Sequence, residues 1–168
     1  MRRSLEDPAL FGIIFDRHFA TIYGYLARRV GVVVADDLAS QTFVVAFERR
    51  ASLQPHQGGA RPWLYRIAIN LLSNQRRMEQ RLLDTAASVG QESLTDLSLE
   101  AASAEQCALG NIRLQEAATA LRGLDPGHRE VLFLHLWAEL SYEEMAVALD
   151  IPIGTVRSRI SRARQAAR

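Results

Sequence analysis

In the segment RPWLYRIAINLLSNQRR, Trp63, Arg66, Asn70, Asn74 and Arg77 stand at offsets of three, seven, eleven and fourteen, which puts them on one side of a helix. An Asn side chain offers both a donor and an acceptor, suited to the edge of an unpaired base. Trp63 and the neighbouring Tyr65 supply rings for stacking, and the arginines supply forks for phosphate. Helix interiors disfavour Asn, so two of them on a wet face call for a reason, the alternative being a solvated surface with a tryptophan at the domain edge. The Gly-Gly loop just before this helix, LQPHQGGA at 53–60, is expected to offer a pocket for an extruded base.

A second set of cations lies at the other end. Val156, Ile160, Ala163 and Ala167, at offsets of four, seven and eleven, make one inner stripe of a final helix. The outer faces then carry Arg157, Ser158, Ser161, Arg162, Arg164 and Arg168, with Arg159 toward the flank. Such a surface can direct bidentate forks at guanine edges and clamp phosphates, and short serines allow close approach to a groove. A run of charge is often only a solvated face. Here residues 151–168 hold five Arg and no acid, and the helix follows a capped partner with a tight turn between them.

The elements that must position these faces are helical. From Ala9 to Arg29 the residues Phe11, Ile14, Phe15, Phe19, Ile22, Tyr23 and Leu26 recur at three- and four-residue steps, which predicts a long amphipathic helix closed by Gly31. VVVA, residues 32–35, is the one strand-like run, too short and isolated for a sheet, and is expected to be a connector. Asp36 and Asp37 predict the start of a second helix ending near Arg50. A third is expected from just after Pro62 to about Met78, burying Leu64, Ile67, Ala68, Leu71 and Leu72.

Residues 82–110 are rich in Ala, Ser and acid without a sustained stripe, and read as a linker with one helical piece near its end. IRLQEAATALRGL then predicts a helix ending near Gly123, and Asp125-Pro126 caps the next. Ser141 and Glu144 form a capping box for a short helix through Leu149, and Pro152 and Gly154 punctuate the turn into the final helix. The expected fold is all-α: two small helical domains, 1–81 and 112–168, joined by a flexible acidic linker, 82–111. The C-terminal domain has the layout of a helix-turn-helix, with Ala146 small where two helices approach and Leu149 and Ile151 at the corner.

An apolar fraction of 48% and a charged fraction of 23% over 168 residues exclude disorder and disulfide scaffolds. The net charge of +1 hides its distribution: all twenty cations are Arg, and basic blocks at 1–81 and 151–168 bracket an acidic middle. A polyanion touching both ends is therefore the partner to expect. The single Cys107 excludes an internal disulfide, and the start MRRSLEDPAL has no hydrophobic signal core, so a cytoplasmic protein without membrane insertion is expected.

ADDLASQTFVVAFERR followed by RPWLYRIAINLLSNQRR resembles the second conserved region of bacterial sigma factors. LDPGHREVLFLHLWAELSYEEMAVALDIPIGTVRSRISRAR resembles their fourth. With no third domain between them, the chain is similar to the extracytoplasmic-function (ECF) branch of the sigma-70 family. The resemblance implies a transcription initiation factor that binds core RNA polymerase, through the clamp helices of its largest subunit and its flap region, and directs it to promoter DNA. It implies that Arg157, Ser158, Ser161 and Arg162 contact the −35 element. Trp63, Tyr65, Arg66, Asn70, Asn74 and Arg77 would contact the melted −10 element, with the 53–60 loop taking a flipped base. The clamp would meet the second helix, whose line Asp37, Gln41, Val44 and Glu48 includes an apolar residue that solvent alone does not ask for. An anti-sigma factor is implied as a regulator. Ser73 departs from the pattern, standing where many relatives carry a basic residue.

No enzyme is expected. The histidines, at 18, 56, 128 and 135, are scattered, no metal-ligand spacing appears, and no Gly motif cradles a phosphate, so no cofactor is expected. The rival reading is a free-standing helix-turn-helix regulator that binds operators without polymerase, usually as a symmetric dimer.

Overall fold

The computed structural model describes residues 8–52, 59–87 and 123–166, and these contain six α-helices and no strand. They are α1 (Gly12–Val30), α2 (Val32–Glu48), α3 (Ala60–Ala87), α4 (Pro126–Leu136), α5 (Tyr142–Leu149) and α6 (Ile153–Ala166). The expected helix ending near Gly123, the linker and most of the 53–60 loop lie outside the described residues.

The first module is α1, α2 and α3. A single residue, Gly31, separates α1 from α2: its φ of 78° is open to glycine, its N–H donates to Ala27 O at 3.0 Å, and its own carbonyl accepts from Ala35 N at 3.1 Å. It thus closes one helix and opens the next. VVVA is consequently the first turn of α2 and not a connector, with Val32 and Val33 exposed and Ala35 buried. β-Branched residues cost a helix only a few tenths of a kcal/mol each, which tertiary packing overrides. Ile22, Tyr25 and Leu26 of α1, Ala35, Leu38, Ala39, Phe43 and Ala46 of α2, and Leu64, Tyr65, Ala68 and Leu72 of α3 form the core.

Helix α3 is longer than expected at both ends. Pro62 lies within its first turn, where the backbone N–H groups have no helical acceptor and a proline removes nothing. At the far end α3 passes residue 81 and runs to Ala87, supported by the side-chain pairs Gln75–Glu79 and Gln80–Asp84, each 2.9 Å.

The second module begins with Asp125, whose carboxylate accepts from Gly127 N at 2.8 Å and caps α4. Ser141 and Glu144 form the expected reciprocal capping box of α5, at 2.9 and 3.1 Å. Asp150 ends α5 in left-handed backbone, φ 56° and ψ 44°, and Ile151 N returns to Ala146 O at 3.1 Å. That corner sets the angle of α6, whose Val156, Ile160 and Ala163 are buried.

The modules do not stand apart. Helix α5 packs along α3, and the buried cluster runs without a break from Phe11 in the first module to Ile160 in the second.

Candidate nucleic-acid interface

On α6 the stripe of Val156, Ile160 and Ala163 is turned inward, so Arg157, Ser158, Ser161 and Arg162 all stand exposed. Ser158 Oγ donates to Thr155 O at 3.0 Å, folding its hydroxyl against the helix. Among the described residues no carboxylate pairs with Arg157 or Arg162. An open cleft of about 380 Å³ lies beside them, bounded by Tyr142, Arg157, Ile160, Ser161, Arg164 and Gln165. Arg164 Nη2 is 3.2 Å from His135 Nε2. Guanidinium only donates, so this His nitrogen acts as the acceptor. The face can offer several planar forks to phosphates and base edges without first breaking an ion pair.

The expected line on α3 is divided by the structure. Asn70, Asn74 and Arg77 are exposed, whereas Arg66 is half-buried where α3 meets the second module and Trp63 is half-buried against the core cluster. Arg66 Nη2 lies 2.6 Å from Asp150 Oδ2. Tyr65 departs from the expectation of an exposed stacking ring: it is 1% exposed, edge-on to Tyr25 at 5.3 Å, and donates to Thr21 O at 3.4 Å. One step along the helix from Trp63 and Arg66 in either direction is enough to turn a side chain into the core. Burial raises the Tyr65 pKa. On α2, Asp37, Gln41, Val44 and Glu48 are all exposed, and Val44 at 58% has company that the sequence did not single out. Ile13, Phe15 and Phe47 are also exposed apolar residues of this module, with the Arg50 guanidinium 4.1 Å from the Phe47 ring.

A cluster at the junction of the modules escaped the sequence altogether. Arg29 of α1, 3% exposed, makes a bidentate pair with Glu130 of α4: Nη1 to Oε1 and Nη2 to Oε2, each 2.9 Å. Arg29 Nη1 also donates to Tyr25 Oη at 2.9 Å, and the Tyr25 hydroxyl donates to Glu130 Oε1. The guanidinium carbon sits 4.5 Å from the centre of the Phe133 ring. Burial alone would raise the Glu130 pKa, but the hydrogen bonds and charge of Arg29 outweigh it and hold the carboxyl below its ordinary value. Burial and then the Glu130 charge push the Tyr25 phenol well above its ordinary range. Burial and the nearby Arg29 lower Arg76, and burial followed by Arg17 and Arg61 lowers His18. Arg61, at the start of α3, donates to the Ala138 carbonyl and lies 3.7 Å from Glu144. No group of His, Cys, Asp and Glu among the described residues could hold a metal ion, and no described helix is long and apolar enough to cross a membrane.

Residues 14–82 match the family description Sigma-70 region 2, and residues 114–166 match Sigma-70, region 4. The RNA polymerase sigma factor YlaC of Bacillus subtilis is 32% identical over 164 residues, which cover 97% of this chain and 89% of that protein. The ECF RNA polymerase sigma-E factor of Escherichia coli is 30% identical over 167 residues, covering 95% of this chain and 85% of its own. Among solved structures, the sigma factor RpoE in complex with the anti-sigma factor NepR, from Bartonella quintana, superposes with a TM-score of 0.68 at 25% identity, covering 94% of this chain and 93% of that one. CnrH in complex with the cytosolic domain of CnrY gives a TM-score of 0.66 at 23% identity, over 99% and 90% of the two chains, a likeness of fold.

Proposed function

The chain belongs to the ECF branch of the sigma-70 family, a transcription initiation factor that directs RNA polymerase, and from that membership we propose how its parts divide the work. Residues 1–81 form the domain that docks on core polymerase and opens the −10 element. Residues 82–111 bridge, and 112–168 read the −35 element. Synthesis belongs to the polymerase and the chain itself is no enzyme. The compartment this implies is the cytoplasm, where the polymerase works.

Arg157, Ser158, Ser161 and Arg162 contact the duplex −35 element, the arginines as forks to guanine edges or phosphates and the serines permitting approach. The observation that carries this is an arginine face on the second helix of a capped helix-turn-helix, without a carboxylate partner among the described residues. Trp63, Arg66, Asn70, Asn74 and Arg77 receive the melted strand, with Tyr65 shaping that helix from within the core. Asp37, Gln41, Val44 and Glu48, continued by Phe47, meet the polymerase clamp. The complexes of RpoE with NepR and of CnrH with CnrY support control of this chain by an anti-sigma factor.

The test is transcription in vitro with purified core polymerase on a pool of random promoters. RNA starting at defined points, with bare chain binding the same DNA poorly, is the expected result. Tight binding by a symmetric dimer without polymerase would establish a free-standing regulator instead.

A further inference from the structure

Arg164 of α6 has a partner of a different kind from the other paired arginines. Its Nη2 lies 3.2 Å from His135 Nε2, and the ring nitrogen is the acceptor because a guanidinium only donates. Where Arg29 and Arg66 meet carboxylates, orientation and neutralisation come together. A ring nitrogen orients the guanidinium without bringing a negative charge. Arg164 is thus held in place and still cationic, with no carboxylate partner among the described residues.

The histidine is itself supported by a second element. His135 stands half-buried in the last turn of α4, and its ring leans on that of Tyr142, the first residue of α5, with centroids 5.8 Å apart and planes at 59°. Tyr142 in turn borders the cleft of about 380 Å³, together with Arg157, Ser161, Arg164 and Gln165, over the buried Ile160. That lining offers two guanidinium forks, two hydroxyls and an amide, and no acid. Arg157, Ser161 and Arg164, at offsets of four and seven, share one face of α6, while Ser158 and Arg162 each follow one residue later, about 100° further round. The cleft is therefore the edge of the reading face nearest α4 and α5. A helix seated in a groove meets the sugar-phosphate backbone at its edges, and such contacts fix its register on the duplex.

We propose that His135 is a positioning residue for duplex binding: it holds Arg164 over the cleft, where that guanidinium and Arg157 grip a backbone phosphate beside the bases met by the rest of α6. The proposal rests on the assignment of α6 to the −35 duplex, and brings to it a residue from another helix.

The test is filter binding of polymerase holoenzyme to a promoter recovered from the random pool, repeated across a salt series. Arg164→Ala should lower affinity about eightfold at about 0.1 M salt and reduce the slope of log affinity against log salt by about 0.9, the signature of one phosphate contact. His135→Ala should cost about threefold, the scale of leaving one long side chain to be ordered on binding. His135→Gln should bind as the parent does, because the Gln amide oxygen reaches the place of Nε2. His135→Asn, a shorter amide of the same polarity, should lose as much as His135→Ala. In an Arg164→Ala chain none of these changes of His135 should have a further effect. Equal affinities for the Gln and Asn variants, no loss in His135→Ala, a loss that persists without Arg164, or a salt slope unchanged by Arg164→Ala each overturns the proposal. Weakened binding to core polymerase with duplex affinity intact overturns it too, and would give the cleft to a protein. Failure of the α6 assignment itself reads out separately, as unimpaired promoter affinity in Arg162→Ala, which lies off the cleft.

Discussion

Helices α6 and α3 both present arginines to a nucleic acid, but they meet solvent on different terms. Among the described residues no acid stands against Arg157 and Arg162 on α6, while on α3 Arg66 is already engaged by Asp150 and Trp63 is half-covered. The difference follows from what lies behind each helix. Helix α6 is the last of the described elements and buries the stripe Val156, Ile160 and Ala163, whereas α3 is the core of its module on one side and the seat of α5 on the other. An exposed cation is ready for a ligand; a paired one is ready only after its partner leaves.

The sharpest way to break this contrast is to remove the Arg29–Glu130 pair at the junction of the modules. Arg29→Ala leaves Glu130 buried without its counter-ion and should cost the junction about 3–5 kcal/mol, turning one thermal unfolding transition into two, as calorimetry would record. The same contact responds to acid. Glu130 is held below its ordinary pKa by Arg29, with Tyr25 and Arg76 also facing it and Arg129 nearby on its own helix. Its contribution is therefore complete above the ordinary carboxyl value and is lost as pH falls through the depressed one. Inter-module distance measured down an acid titration should lengthen only below the ordinary carboxylate range.

Smaller effects test the open face. Arg157→Ala should lower the affinity of polymerase holoenzyme for its promoter by about 1–3 kcal/mol if the fork reads a base, measured by filter binding at fixed salt, with the single-strand affinity of the free chain unchanged. Ser141→Ala removes the hydroxyl half of the α5 capping box and should cost about 1 kcal/mol in thermal stability. Asp150→Asn breaks a pair that is largely exposed, and should change stability by no more than about 1 kcal/mol. A large loss there would mean that Asp150 supports the corner more than it restrains Arg66.

What the sequence made legible was local. The stripe Val156, Ile160 and Ala163, the capping box and the Asp125 cap all depend on residues within a turn or three of one another, and the structure has each in place. Gly31 was read correctly as a helix end, but one residue serving as end and beginning left VVVA looking like a connector. Tyr65 was misjudged because a ring beside Trp63 looks like a stacking pair until the helix phase is fixed. The junction was out of reach: Arg29 and Glu130 are 101 positions apart, and neither breaks a local rule. Nothing in a helix-ending arginine distinguishes a solvated cation from one that will be buried.

Asp150 lies in left-handed backbone, a conformation that Asn and Gly enter as readily. The corner that aims α6 can therefore survive the loss of the carboxylate that restrains Arg66. Replacing Asp150 by Asn thus changes a charge without moving the turn, which separates what that residue does electrostatically from what it does for the backbone.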